Sequence, residues 1–240
     1  MGKNQPQPVG DAGDFDLYLL AQTWAPQFCC TNRADRCSTV GWAFSAKHLS
    51  LHGLWPAYST PRGGERSPLD CRVKAKLVTE QLPRDYVDLA PSFTKWNAEL
   101  HRAEVGALAK HEWQKHGTCS GLGPQQYFEE ALRAMQALPG ERGTPRSLVK
   151  AVGGSVPTQT VRQEYSKTVA LRADKHCRLA EVTSCWSKAP DGRVGAQIDC
   201  PPAVMQGRDS AAKCRSLYVT ALGQCLAADQ EKQQKGGGRK

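Results

Sequence analysis

The chain has 240 residues, 40% hydrophobic and 23% charged, enough for one globular domain or two small ones and incompatible with a collagen-like or wholly disordered polymer. Lys and Arg total 32 against 23 Asp and Glu, a balance of +9 that favours polyanionic partners through counterion release. No apolar run approaches the roughly 18 residues of a spanning helix, so no membrane association is expected.

Residues 1–14, MGKNQPQPVGDAGD, combine Pro, Gly and Asn with no hydrophobic period and read as a flexible leader. They lack the apolar core of a secretory signal. The segment FDLYLLAQTW (residues 15–24) is rich in aromatic and aliphatic side chains and meets Pro26, as a mostly buried strand would. HLSLHGLW (48–55) alternates apolar and polar residues and stops at Pro56, a second strand. The period then changes: 70–82, 94–116, 124–138, 146–152 and 158–171 are helix-like, several with a Ser, Thr, Asp or Gly start. Strand patterns return with CRLAEVTSCW, the turn-like APDGR and VGAQIDC, which together read as a hairpin, and CRSLYVTAL supplies a last strand. Strands at both ends with helices between them predict an α+β domain over residues 15–228, with a mainly antiparallel sheet packed against several helices. Residues 229–240 form a basic, Gly-rich tail.

Ten cysteines are too many for a typical reducing compartment and, being even in number, suggest a disulfide framework. Zinc is the alternative, but there is no C-x-x-C, and gaps such as Cys29 to Cys37 or Cys185 to Cys200 do not form paired short knuckles. The expectation is a single disulfide-stapled domain, secreted or lumenal (periplasm, vacuole or lysosome), with its signal already removed. No N-x-S/T sequon occurs, so N-glycosylation is not expected.

Two blocks pack His and Trp beside turn residues: LHGLWPAY (51–58) and KHEWQKHGTC (110–119). His111 and His116 stand five apart, not four as in the zinc-protease motif. On one helix that spacing turns them roughly 140° apart, which predicts that they cannot share a metal, and no metal or other cofactor is expected. Glu112, Lys115 and His116 fall at i, i+3 and i+4 and project to one side, while Trp113 points away as a core anchor. Gly117 follows His116 at the helix end, where the dipole favours a protonated imidazole and Lys115 opposes it.

Such a set can cleave RNA. The reaction needs a base for the 2′-hydroxyl, an acid for the leaving 5′-oxygen and positive charge for the phosphorane. Two His and one Lys supply all three. His48, His101 and His176, outside the blocks, read as surface or satisfied core residues.

HGLWP at His52 to Pro56, together with HEWQKHGTC at His111 to Cys119, resembles the two active-site blocks of the ribonuclease T2 family. FDLYLLAQTWAPQFC is similar to the family's first strand and cysteine, QQYFEEAL to its post-active-site helix, and EVTSCW with IDCP to its late cysteine hairpin. The resemblance implies His116 as general base, His52 as general acid, Glu112 and Lys115 as stabilisers of the phosphorane, and His111 as a phosphate or substrate contact. Trp55 would stack or wall a base, with a core role the alternative, and Tyr58 is a weaker candidate. The implied disulfides are Cys29 with Cys37, Cys71 with Cys119, Cys177 with Cys214 and Cys185 with Cys200, leaving Cys30 and Cys225 to pair or stay free. Which of Cys29 and Cys30 joins Cys37 is open at this level.

Ala57, and Leu108 with Ala109, depart from the family pattern near the substrate groove and bear on base preference. The loop PRGGER (61–66) reads as solvated or as a phosphate contact. The expected activity is a monomeric, metal-independent endoribonuclease acting on single-stranded RNA, not DNA, through a 2′,3′-cyclic phosphate, with little base specificity. Two rivals stand beside it: a catalytically weak RNA-binding or storage protein on the same fold, and a metal phosphoesterase, for which ligand-spaced carboxylates are lacking.

Overall fold

A computed structural model describes residues 9–31, 44–83, 85–90, 94–97 and 102–225. The aliphatic run at Leu17–Trp24 forms β1, buried on both faces, and Leu49–Ala57 forms β2, an edge strand. β2 runs through Pro56, because an edge strand leaves a missing N–H facing away from the ladder. The main sheet has five antiparallel strands in the order β2-β1-β7-β6, with β6 at Ala170–Ala173, β7 at Leu179–Lys188, and β8 at Val194–Ile198 also pairing β7. The α+β expectation holds.

Alternation along β1 divides the interior. Tyr18, Leu20 and Trp24 enter the larger core with Trp113, Tyr127 and Phe128, while Leu17, Leu19 and Ala21 pack on the other face with Trp55, Ala57, Cys185 and Val204. That second face is closed by α7 (Pro202–Arg208), a helix begun by Pro202, whose missing N–H costs nothing at a first turn. Pro26 is the second residue of α1 (Ala25–Thr31), also within a first turn, so the chain turns directly from β1 into a helix where sequence indicated only a stop.

Three helix expectations are corrected. Residues 70–82 form no α-helix, only a 3₁₀ turn at Thr79–Gln81 after α1 and before α2 (Tyr86–Leu89). Asp70 takes a positive φ of 53° and donates its N–H to the Lys115 carbonyl, and the Ala75 carbonyl is taken by the Trp113 indole, so tertiary bonds replace helical ones. Residues 94–116 split into the antiparallel pair β3 (Thr94–Asn97) and β4 (Arg102–Val105) and then α3 (Ala107–Lys115), separated by Gly106 in extended geometry. Residues 158–171 divide into α6 (Thr158–Gln163) and β6, whose apolar residues pair with β7. Helices α4 (Pro124–Gln136) and α5 (Arg146–Lys150) form as expected. β5 (Gly154–Pro157), not anticipated, pairs with the anticipated last strand β9 (Ser216–Val219).

Disulfides join Cys71 to Cys119, Cys177 to Cys214, Cys185 to Cys200 and Cys30 to Cys225. Cys29 is also disulfide-bonded, while its expected partner Cys37 lies outside the described residues. Of the N-terminal segment, Val9 bridges Leu69 and the Gly13 N–H donates to the Cys119 carbonyl. Residues 1–8 and 226–240 lie outside the described residues.

Candidate active site

The site forms where edge strand β2 meets the C-terminal end of α3. Along β1, Ala21 pairs with Gly53 but Gln22 pairs with Leu51, so His52 is the unpaired residue of a β-bulge. A bulge re-aims one side chain without ending the strand. His52 thereby stands half-exposed in a strand whose other residues are buried. Gly53 follows because nothing larger fits: a Cβ there would lie 2.0 Å from Glu112 Oε2 and 2.4 Å from Trp55 Nε1. Those two atoms are hydrogen-bonded to each other, the indole donating at 2.7 Å.

Trp55 is the wall between the two imidazoles. Its ring centroid lies 5.1 Å from that of His52 and 5.3 Å from that of His116. Only 7% of Trp55 is exposed, and the Arg208 guanidinium sits 4.5 Å from its ring centroid. Trp55 is therefore a buried wall, not an open stacking platform. Trp113 is a core anchor as expected, and it also dictates Gly117, where a Cβ would come within 2.4 Å of the indole.

Glu112 and His116 are buried, Lys115 is half-buried and His111 is exposed. Burial, partly offset by His52, the Trp55 N–H and Lys115, pushes the Glu112 carboxyl up to about 7. Burial first, then Lys115, His111, His52 and Arg208, pushes His116 down to about 3. Desolvation thus outweighs any helix-dipole preference for a protonated ring. The His116 Nδ1 has no hydrogen-bond partner. His111 is also lowered, by burial, Lys115 and His52.

Helical spacing misjudged one relation. His116 caps α3 with φ −117°, its ring lies 6.4 Å from that of His111, and ligand-type atoms of His111, Glu112 and His116 come within 4.8 Å of one another. The two histidines do share one locality at the C-terminal end of α3, their five-residue spacing notwithstanding. Glu112 is nonetheless engaged, with Oε2 on Trp55 and Oε1 3.8 Å from His52 Nε2.

Three neighbours of the site were not singled out from sequence. Glu181, on β7 and 1% exposed, accepts a 3.0 Å hydrogen bond from His52 Nδ1 through Oε2, which also accepts from Arg172 at 3.1 Å. Its Oε1 lies 3.6 Å from Arg208. Burial alone would raise this carboxyl, but His52, Arg172 and Arg208 hold it below the usual carboxylate range. The available signal was a carboxylate inside an apolar strand pattern, since buried charges are paired. No local signal marks Arg172 or Arg208.

Elsewhere, His48 stacks on Phe44 with a 3.9 Å centroid separation and meets Glu141 at 3.3 Å, His176 is exposed, and His101 lies outside the described residues. In the loop 61–66, Arg62 pairs with Asp14 and Asp16 and covers Tyr58.

The family model "Ribonuclease T2 family" matches residues 15–190, a span that includes both blocks. The chain is 33% identical over 192 residues to "Ribonuclease" of Aeromonas hydrophila, covering 76% of each chain. It is 25% identical over 213 residues to "Ribonuclease 1" of Arabidopsis thaliana, covering 78% of this chain and 87% of that one. Japanese pear S3-RNase shares the fold at a TM-score of 0.55 and 22% identity, over 78% of this chain and 91% of that one. With both sequence blocks assembled around one buried indole and the match running through most of the domain, the chain belongs to the ribonuclease T2 family.

Proposed function

We propose that this endoribonuclease cleaves single-stranded RNA by metal-independent transesterification, with His116 as general base and His52 as general acid. The observation that carries the assignment is the opposite surroundings of two imidazoles on one indole. His116 lies among Lys115, His111 and Arg208 and is neutral above about pH 3, as a base must be. His52 has the Glu181 carboxylate 3.0 Å from Nδ1 and the Glu112 carboxyl 3.8 Å from Nε2, so one ring nitrogen is held by an acceptor and the other faces the site.

In the first step His116 takes the 2′-hydroxyl proton, O2′ bonds to phosphorus, the bond from phosphorus to O5′ breaks, and His52 protonates the departing O5′. The products are a 2′,3′-cyclic phosphate and a 5′-hydroxyl. In the second step neutral His52 takes a proton from water, the water oxygen bonds to phosphorus, the bond from phosphorus to O2′ breaks, and protonated His116 returns its proton to O2′, leaving a 3′-phosphate. Lys115 supplies positive charge to the phosphorane, and Glu112, whose raised carboxyl retains its proton to about pH 7, is suited to donate a hydrogen bond to it. His111 is the exposed outer contact for phosphate, and Trp55 walls the pocket. DNA lacks the nucleophile and is inert.

The protein acts as a monomer on RNA in a secreted or lumenal compartment, where disulfides persist. The decisive experiment is cleavage of UpA in EDTA beside a deoxy control, with products resolved. Cyclic product from RNA alone supports the mechanism. Absence of cleavage from pH 4 to 8 by folded, oxidised protein favours the binding or storage alternative, and activity restored only by a divalent ion overturns metal independence.

A further inference from the structure

We propose that Glu181 is the positioning residue for His52, locked in place by Arg172 and Arg208, and that it selects the imidazole tautomer carrying hydrogen on Nδ1. This rests on the assignment of His52 as the general acid and adds a residue from a distant strand to that site. Glu181 and His52 are separated by 129 positions in sequence. Glu181 pairs across β7 and β1 with Thr23, and Thr23 pairs with Ser50 on β2. The bulge at His52 is what lets its ring reach a carboxylate two strands away.

The geometry has one donor and one acceptor in each place. A carboxylate held ionised by two arginines only accepts, so the nitrogen 3.0 Å away, Nδ1, carries a hydrogen. The other nitrogen, Nε2, then faces Glu112 at 3.8 Å, on the side of the site shared with His116. That nitrogen is free to deliver a proton and to receive one back without the ring turning. A bare imidazole on a bulge would sample both tautomers and several rotamers, since nothing else grips Nδ1 among the described residues.

The clamp on Glu181 is built on one edge of the sheet. Arg172 stands directly opposite Glu181 in the pairing of β6 with β7. Arg208 arrives from α7, beyond the residues matched by the family model. The next residue, Asp209, receives both bonds of Arg162 Nη2, at 2.6 and 2.9 Å, and the Leu171 N–H at 3.0 Å, while Ser210 bonds the backbone of Ala173. The end of α7 is therefore fastened to β6, and both arginines are fixed to the same strand. Arg208 also lies over Trp55, so one guanidinium contacts the wall of the site and the carboxylate behind the acid.

The test compares Glu181→Gln, which keeps an acceptor oxygen, with Glu181→Met, which has similar length and only a weak acceptor. Dinucleotide turnover is measured beside the ¹⁵N shifts of the His52 ring. Glu181→Met is expected to lose about a hundredfold or more in kcat with KM changed less than about threefold, and its neutral His52 to shift toward hydrogen on Nε2. Glu181→Gln is expected to keep the Nδ1 tautomer and recover at least about tenfold of the lost turnover. Folded Glu181→Met with turnover within about threefold of the parent overturns the proposal. So does parent protein whose neutral His52 carries its hydrogen on Nε2. If Glu181→Met does not fold, the parent tautomer and the Gln variant decide alone. The ring spectrum reads the pairing even in a protein that cleaves nothing, so failure of the catalytic assignment and failure of the positioning role give different results.

Discussion

The hydrogen bond from Trp55 Nε1 to Glu112 Oε2, 2.7 Å long, passes over Gly53 with no room for a single added carbon. Two blocks whose bonded residues stand 57 positions apart in sequence are thus closed on each other through one glycine. Gly53→Ala is expected to push Glu112 off the indole, costing about 1–3 kcal/mol of stability as an overpacked site does and lowering turnover tenfold or more. Urea denaturation and dinucleotide cleavage measure both, and an unchanged urea midpoint contradicts the packing.

His52→Phe and His116→Phe each remove one proton-transfer partner while keeping an aromatic ring against Trp55. Each is expected to lower kcat by about 10²–10⁴-fold, with the fold retained by circular dichroism and RNA affinity largely retained by fluorescence anisotropy. Near-normal turnover in either variant removes that histidine from the mechanism.

The pH dependence follows from His116. A base titrating at about 3 stays neutral in mildly acidic solution, so kcat/KM is expected to hold from pH 6 down to about pH 4 and to fall only below that. A base and an acid required in opposite protonation states give a bell-shaped profile. A dinucleotide rate profile from pH 2.5 to 9 tests this, and a rate climbing steadily to alkaline pH contradicts the pairing.

Stability carries a separate signature. The Glu112 carboxyl is raised from 4.5 to about 7, so its contribution is fully present below pH 4.5 and is lost as pH rises through 7. His116, lowered from 6.5 to about 3, does the reverse: its contribution is present above pH 6.5 and lost as pH falls through 3. Glu112→Gln removes the first effect alone. Relative to the parent, it is expected to gain on the order of 2–3 kcal/mol between pH 4.5 and 8. Parallel urea curves for the two proteins across that interval count against a buried, raised carboxyl.

The Cys71–Cys119 bridge ties the end of the second block to the chain that follows the first, closing a separation of 48 residues. Replacing both by Ala is expected to cost about 2–4 kcal/mol, near the roughly 4 kcal/mol of loop entropy for such a closure. Turnover is expected to fall as well, because the Asp70 N–H on the Lys115 carbonyl then loses its neighbouring staple. Turnover equal to the parent's at a temperature where both are folded limits the bridge to stability.

Much of this was legible because it is local. The blocks at 52–56 and 111–119 name their own chemistry, and the aliphatic run of β1 and the alternation of HLSLHGLW indicate burial within a few residues. Where helices were misread, at 70–82, 94–106 and 164–171, the backbone partners are long-range: the Lys115 carbonyl, the Trp113 indole and strand β7. Helix-like spacing cannot register such bonds, since propensity yields to tertiary pairing.

Readable along the chain are the family blocks, the antiparallel α+β class, an oxidised cysteine framework and the basic charge that suits a polyanion. Contacts in the fold settle that Cys30 meets Cys225, that Trp55 is a covered wall, that His111 and His116 share a locality, and that Glu181, paired with Arg172 and Arg208, meets His52. The physical reason is separation along the chain. A strand pattern reports which side chains face inward, but which carboxylate meets which imidazole depends on register, on the bulge at His52, and on where α7 is fastened.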